Sequence, residues 1–201
     1  MLEFEKKILL SESEYRFLKD CRYAEGKTAV QVNHYYDTDD FKLSRQGITC
    51  RIREKDGICI ATTKAHQGKA SDCSVENSRR VKDRYDDIVF RNRALYYQGS
   101  LETVRYTCWP PRAGISVMLD KNSYLNVVDY ELEIEYEWAA EELAAEEIDG
   151  IAAELMAAQL LANEESFRER VGNGMSKSAR FFCRKAEMAE RMERWAPCDR
   201  F

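Results

Sequence analysis

The chain is poor in the residues that most often announce a site. It has two histidines in 201 residues, His34 and His66, without metal-ligand spacing, so each is read as a structural or surface residue. Its seven cysteines form no C-x-x-C pair, which excludes a zinc or disulfide framework and predicts scattered thiols in a reducing compartment, the cytoplasm. Cys50 and Cys59, which flank an arginine pair, are read as small buried thiols. No apolar run approaches the roughly 20 residues that cross a bilayer; Ile115 to Leu119 is typical of the longest. The start, Met1-Leu2-Glu3-Phe4-Glu5, is acidic and alternating where a signal peptide has a basic segment and a long apolar run, so export is not expected. Gly68-Lys69 lacks both the glycine five positions earlier and the following Ser/Thr of a nucleotide-binding loop. There is no internal repeat, low-complexity tract or linker-like stretch, and one domain over residues 1–201 is expected.

Charged residues make up 33% of the chain and hydrophobic ones 44%, a folded composition. The net charge of -5 sets aside a general nucleic-acid-coating role, although a local basic site can still attract anions. Residues 2 to 9 alternate as a strand does, and Ser11-Glu12-Ser13-Glu14 has the spacing of a capping box that opens a short helix. Extended segments are expected near 31–36, 48–54, 57–64 and 101–108, with Asp56-Gly57 as a hairpin turn. Tyr85, Ile88 and Val89 suggest a helix from Val81 to about Tyr96. Strands over Ile115–Asp120 and Val127–Glu137 precede two helical segments, Ala139–Ala162 and Lys177–Trp195, divided by Gly172-Asn173-Gly174. The row Leu155, Met156, Leu160 and Leu161 is read as an outer packing face. Strands first and helices last predict an α+β fold with a mainly antiparallel sheet.

The chemistry lies in charged residues at alternate strand positions. Glu3, Glu5 and Lys7 share one face at intervals of roughly 6.6 Å. Arg51 and Arg53 repeat the arrangement, and so do Glu131, Glu133 and Glu135, with Leu132 and Ile134 facing the other way. Any one row also fits an ordinary solvated strand face. Three successive glutamates repel one another, however, and require cations. Clustered carboxylates suit Mg²⁺ or Mn²⁺, and planar guanidinium groups match phosphate oxygens. An acidic half and a basic half together imply a metal-phosphate ligand.

Glu3-Phe4-Glu5-Lys6-Lys7 opens a series that continues through Tyr35-Tyr36-Asp37-Thr38, Leu43, Gly47, Arg51-Ile52-Arg53, Lys64, Arg105, Leu119-Asp120 and Tyr130-Glu131-Leu132-Glu133-Ile134-Glu135 to Ser176-Lys177. This series resembles the CYTH family of triphosphate tunnel metalloenzymes, whose signature is an amino-terminal Glu-x-Glu-x-Lys strand, and looks most like its bacterial members. The resemblance implies an eight-stranded antiparallel β-barrel forming a tunnel, with helices packed outside and charges pointing inward. By position it makes Lys7, Arg51, Arg53, Lys64, Arg105 and Lys177 phosphate-binding, and Glu3, Glu5, Glu76, Asp120, Glu131, Glu133 and Glu135 metal-binding, with Glu133 and Glu135 favoured in the last row. Glu5, Lys7 and Arg53 are the candidates for action at the reacting phosphate. Two departures stand out. The strand after Lys64 offers a single acid, Glu76, and the usual proline after Asp37-Thr38 is Asp39, expected to alter only a surface turn.

The implied activity is Mg²⁺- or Mn²⁺-dependent hydrolysis of inorganic triphosphate or a related small triphosphorylated compound. Adenylate cyclases and thiamine triphosphatases occur in the same family. A non-catalytic polyphosphate or nucleotide-binding module is the alternative from another class, and the lone Glu76 is its best support. The expected partner is a small triphosphate or polyphosphate, with neither nucleic-acid polymer nor membrane, and the expected state a monomer or homodimer.

Overall fold

The computed structural model describes residues 2–66, 73–84, 89–90, 93–109 and 114–195, with the backbone alone for 2–3, 66, 73–75, 89, 93 and 192–195. In chain order the elements are β1 (Leu2–Leu10), α1 (Glu12–Phe17), which runs into a π-helical turn (Leu18–Arg22), β2 (Gly26–Asp37), α2 (Lys42–Arg45), β3 (Ile48–Lys55), β4 (Ile58–His66) and β5 (Cys73–Val81). Then come β6 (Val89–Phe90), β7 (Arg93–Ala94), β8 (Tyr96–Cys108), β9 (Ile115–Tyr124), β10 (Val127–Tyr136), α3 (Glu141–Ala157), α4 (Glu164–Arg168) and α5 (Lys177–Trp195). The eight long strands close an antiparallel barrel in the order β1-β10-β9-β8-β2-β3-β4-β5. The seam is short: β1 meets β5 only where Leu2, Glu3 and Phe4 face Val75, Ser74 and Cys73.

Alternation on the strands turns the barrel inside out. Ile8 and Leu10 of β1, Leu119 of β9, and Leu132 and Ile134 of β10 point outward and are buried under Tyr15 and Leu18 on one side and Ile148, Ile151 and Leu155 of α3 on the other. The principal apolar core therefore lies between barrel and helices, while Glu5, Lys7 and Glu133 face inward. Leu155 is fully buried and its neighbour Met156 exposed, as one helix face turned to a core requires. The first helix begins as its spacing predicts. The Ser11 hydroxyl accepts from the Glu14 amide, and the Ser11 amide donates to the Glu14 carboxylate at 2.6 Å. The β3–β4 hairpin turns at Asp56 and Gly57, both with positive φ.

Two features shape the mouth of the barrel. The buried Asp37 carboxylate accepts from the amides of Leu43 and Ser44, each at 2.9 Å, and so ties down the β2–β3 connection; Asp39 is exposed in that turn. Across the same end α5 inserts Phe181 and Phe182 against Tyr35, Leu101 and Tyr124. Gly99 lets it approach: with φ of 134°, an added Cβ would meet the Phe181 ring at 2.7 Å.

The helix expected from Val81 to Tyr96 does not form. Val81 ends β5, and Val89–Phe90 pairs with Arg93–Ala94 in a two-strand hairpin; residues 85–88 and 91–92 lie outside the described residues. Val81, Phe90 and Leu95 instead pack with Cys50, Ile52, Cys59 and Ala61 on the outer face of β3 and β4. Tertiary burial decides the conformation of a segment whose local preference is weak. Gly68-Lys69 lies outside the described residues. No helix among them is long and apolar enough to cross a membrane.

His34, on the outer face of β2, is buried, with Nε2 3.4 Å from a Glu54 oxygen and its ring beside Tyr97. Burial pulls the imidazole below its usual 6.5; Glu54 opposes and Arg84 adds to the fall. The unfolded chain then binds the proton more tightly than the folded one, so this contribution to stability is lost as pH drops below 6.5. Urea midpoints measured from pH 6.5 down to roughly pH 5 should decline less in His34→Gln than in the wild type.

Candidate active site

The inward rows place acids and bases opposite one another. Lys7 faces Glu133 and Glu5 faces Glu135 across β1 and β10; Glu131 faces Asp120 across β10 and β9, and Asp120 faces Arg105 across β9 and β8. On the far wall Arg51 and Arg53 of β3 stand opposite Tyr35 and Asn33 of β2, and Lys64 of β4 opposite Glu76 of β5. These side chains surround a cavity of about 110 Å³. Glu5, Lys7, Arg51, Arg53, Lys64, Glu76, Arg105, Glu133, Glu135 and Lys177 all line it, joined by Thr49, Ser176 and Ser178.

Two layers are distinguishable within this arrangement. In the deeper one, Arg105 grips Asp120 with two hydrogen bonds, at 2.9 and 2.7 Å, and also contacts Glu133. Lys177, from the first turn of α5, lies 2.9 Å from Asp120, 2.8 Å from Glu131 and 2.7 Å from Glu133. Arg180, one helical turn on, donates to Asp129 at 2.9 Å and to Glu131 at 2.9 Å. Asp120 and Glu131 thus sit behind the cavity wall as counter-ions for Arg105, Lys177 and Arg180, and neither lines the cavity. Burial would lower the Lys177 ammonium, but Glu131, Glu133 and Asp120 raise it above its usual range. Burial would likewise lift the Glu133 carboxyl, yet Lys177, Arg105 and Lys7 hold it well below.

The shallower layer faces the cavity. The Glu5 carboxylate takes Lys7 at 2.6 Å and Lys64 at 2.9 Å; burial raises it, Glu133 adds to that, and the two lysines bring it below the usual value. One oxygen each from Glu5, Glu133 and Glu135 lies within 4.8 Å of the others. Three hard oxygen donors of this spacing, open to a cavity, fit a divalent cation of the Mg²⁺ or Mn²⁺ kind. Opposite them, Arg51 lies 4.0 Å from Glu76, and the Arg53 guanidinium is held at Nε by the Asn33 carbonyl oxygen at 3.0 Å. Burial, Arg51 and Arg105 push Arg53 down to about 10, so it remains charged at neutral pH.

The structure therefore brings together ten residues singled out by sequence and sets Asp120 and Glu131 beneath them; the Glu3 side chain lies outside the described residues. Sequence reasoning missed Arg180, Asp129 and Asn33. Arg180 had a signal, its position three residues after Lys177 on one helical face, whereas a lone amide in a strand carries none. His34 lies outside the site, and the His66 side chain falls outside the described residues. Cys50 and Cys59 are buried on the outer face of the barrel, where burial lifts the Cys50 thiol to about 11.

Arg180 compensates acids far from water, so its loss should be costly. Arg180→Leu leaves Asp129 without its guanidinium partner and weakens the hold on Glu131. Urea denaturation should show a loss on the order of 3 kcal/mol, the scale for breaking a buried pair.

Comparison with known proteins agrees with this geometry. The model of the CYTH domain matches residues 1–165. A protein of Bacillus subtilis (strain 168) named "Putative triphosphatase YjbK" is 32% identical over 149 residues, which cover 67% of this chain and 77% of that protein. The crystal structure of "a putative adenylate cyclase" from Bacillus halodurans superposes with a TM-score of 0.59 at 28% identity, covering 73% of this chain and 87% of that one. HpAC1 from Hippeastrum, at 20% identity, shares the fold with a TM-score of 0.59 over 76% of this chain and 86% of its own. With its charged barrel interior and a family match over most of its length, the chain belongs to the CYTH domain family.

Proposed function

We propose that the protein is a Mg²⁺- or Mn²⁺-dependent hydrolase that removes a terminal phosphate from inorganic triphosphate or a related small triphosphorylated compound. One observation carries this: a single cavity presents six cationic side chains beside a cluster of three carboxylates spaced for a divalent ion. A triphosphate is a short row of anionic tetrahedra, and Lys7, Arg51, Arg53, Lys64, Arg105 and Lys177 offer it donors from several sides. The similarity to YjbK, which bears the name of a triphosphatase, points the same way.

The chain's own residues act by placement and charge. Arg51, Arg53 and Lys64 on one wall and Lys7 on another fix the phosphates along the barrel, so that the bond to be broken is aligned with an attacking water. Their charges stabilise the equatorial oxygens as the terminal phosphoryl group transfers. Glu5, Glu133 and Glu135 would hold the divalent ion, which supplies further positive charge to the phosphate oxygens. Phosphoryl transfer to water requires no covalent nucleophile from the protein. The free thiols Cys21, Cys50, Cys59, Cys108 and Cys183 accord with a cytoplasmic setting.

A panel of triphosphate, thiamine triphosphate, ATP and long polyphosphate, each with Mg²⁺ and with Mn²⁺, tests the reading by phosphate release, with cyclic AMP assayed in parallel. Triphosphate should release phosphate fastest, and excess EDTA should abolish the release. Cyclic AMP formation from ATP without phosphate release would instead make the protein a cyclase. Tight binding with neither product would make it a binding module. Arg53→Ala and Glu5→Ala should each lower turnover on the order of 10² to 10³-fold with folding intact by circular dichroism. Near-normal turnover in both would remove these residues from the site.

A further inference from the structure

The cations of the cavity are not equally available to an anion. Lys7 and Lys64 are bound to Glu5, Arg105 to Asp120 and Glu133, and Lys177 to three carboxylates. Arg53 differs. Among the described residues it makes no ion pair, and its one hydrogen bond runs from Nε to the carbonyl oxygen of a neutral side chain, Asn33. The two residues stand directly opposite each other on β3 and β2, and Asn33 is fully buried. Because a guanidinium only donates, this bond also fixes which way the amide faces. The Asn33 amino group points elsewhere and finds no hydrogen-bond partner, as is true of the Gln31 amino group two residues earlier on the same inner face.

An arginine half-buried inside a barrel is ordinarily paired with a carboxylate, which repays the cost of drawing its charge away from water. Here the partner orients the side chain without neutralising it. With Nε occupied, the terminal nitrogens keep the fork that matches two phosphate oxygens. Resting on the triphosphate reading of the cavity, we propose that Asn33 is a positioning residue for polyanion binding, one whose neutrality matters as much as its hydrogen bond. A carboxylate at this position would satisfy Arg53 internally and set a negative charge against the substrate.

The prediction separates positioning from simple structural support, because binding should weaken with no loss of stability. In Asn33→Asp, the new Asp–Arg53 pair should leave the thermal midpoint unchanged or raise it. Calorimetric affinity for tripolyphosphate in EDTA-containing buffer should fall on the order of tenfold or more, since a like charge in a poorly screened site opposes the anion. In steady-state assays with Mg²⁺ the change should appear mainly in KM, with kcat altered less. Asn33→Ser, which retains a neutral acceptor, should stay closer to the wild type than Asn33→Ala. Unchanged tripolyphosphate affinity in a folded Asn33→Asp protein would overturn the inference while leaving the triphosphate reading intact. If that variant does not fold, wild-type affinity in Asn33→Ala overturns it instead. A wild-type protein that binds no tripolyphosphate overturns the triphosphate reading, and the role of Asn33 with it.

Discussion

The barrel depends on the compensation of buried carboxylates by Arg105, Lys177 and Arg180. Asp120, Glu131 and Glu133 lie almost completely out of solvent within reach of one another, an arrangement that would be prohibitively costly if each charge stood alone. Arg105 comes from β8, while Lys177 and Arg180 come from a helix more than 40 residues downstream of the glutamates. The ionic interior therefore has to be assembled from distant parts of the chain. Such pairs contribute little net stability compared with a hydrophobic interior of the same volume. The stabilising burial lies elsewhere, on the outer face of the barrel, where Leu132, Ile134, Ile151 and Leu155 are sealed from water.

That division of labour gives α5 two roles. Its aromatic pair, Phe181 and Phe182, packs against Tyr35, Leu101 and Tyr124, and Lys177 and Arg180 reach inward from the same helix. The apolar contacts hold the helix in place, and the helix in turn places the cations. Gly99 is part of the same device, since any side chain there would occupy the space filled by Phe181.

Much of this was legible in the sequence because strand alternation with period two puts charge on one face and apolar residues on the other. The rows at Glu5/Lys7, Arg51/Arg53 and Glu131/Glu133/Glu135 could be read directly, as could the Ser11 capping box and the Asp56-Gly57 turn. Alternation does not say which charges a fold will spend on one another. Asp120 and Glu131 resemble Glu133 and Glu135 in pattern, yet they are absorbed by Arg105, Lys177 and Arg180, because depth in the barrel and the arrival of α5 decide their partners. The segment from Val81 to Tyr96 was misread for a related reason. Its apolar spacing suits a helix, but the apolar outer face of β3 and β4 offers burial to an extended chain. Asn33 had no signature, since its significance lies in what stands opposite it.

Glu133 connects the two layers. It belongs both to the cluster with Glu5 and Glu135 and to the network of Arg105 and Lys177. A divalent cation drawn to the cluster must share Glu133 with those side chains, so part of their charge becomes available to a neighbouring anion. An anion that draws Lys177 and Arg105 toward itself leaves Glu133 more negative and favours the cation in return. Binding free energies are linked reciprocally, and whatever one ligand gains from the other must be gained equally in reverse. Arg53 enters this exchange only through a longer-range attraction to Glu133. Tied to an amide instead of an acid, it has no directly bonded carboxylate to give up, among the described residues, when an anion binds. The cavity thus combines cations that an anion must draw away from paired carboxylates with one, Arg53, that it need not.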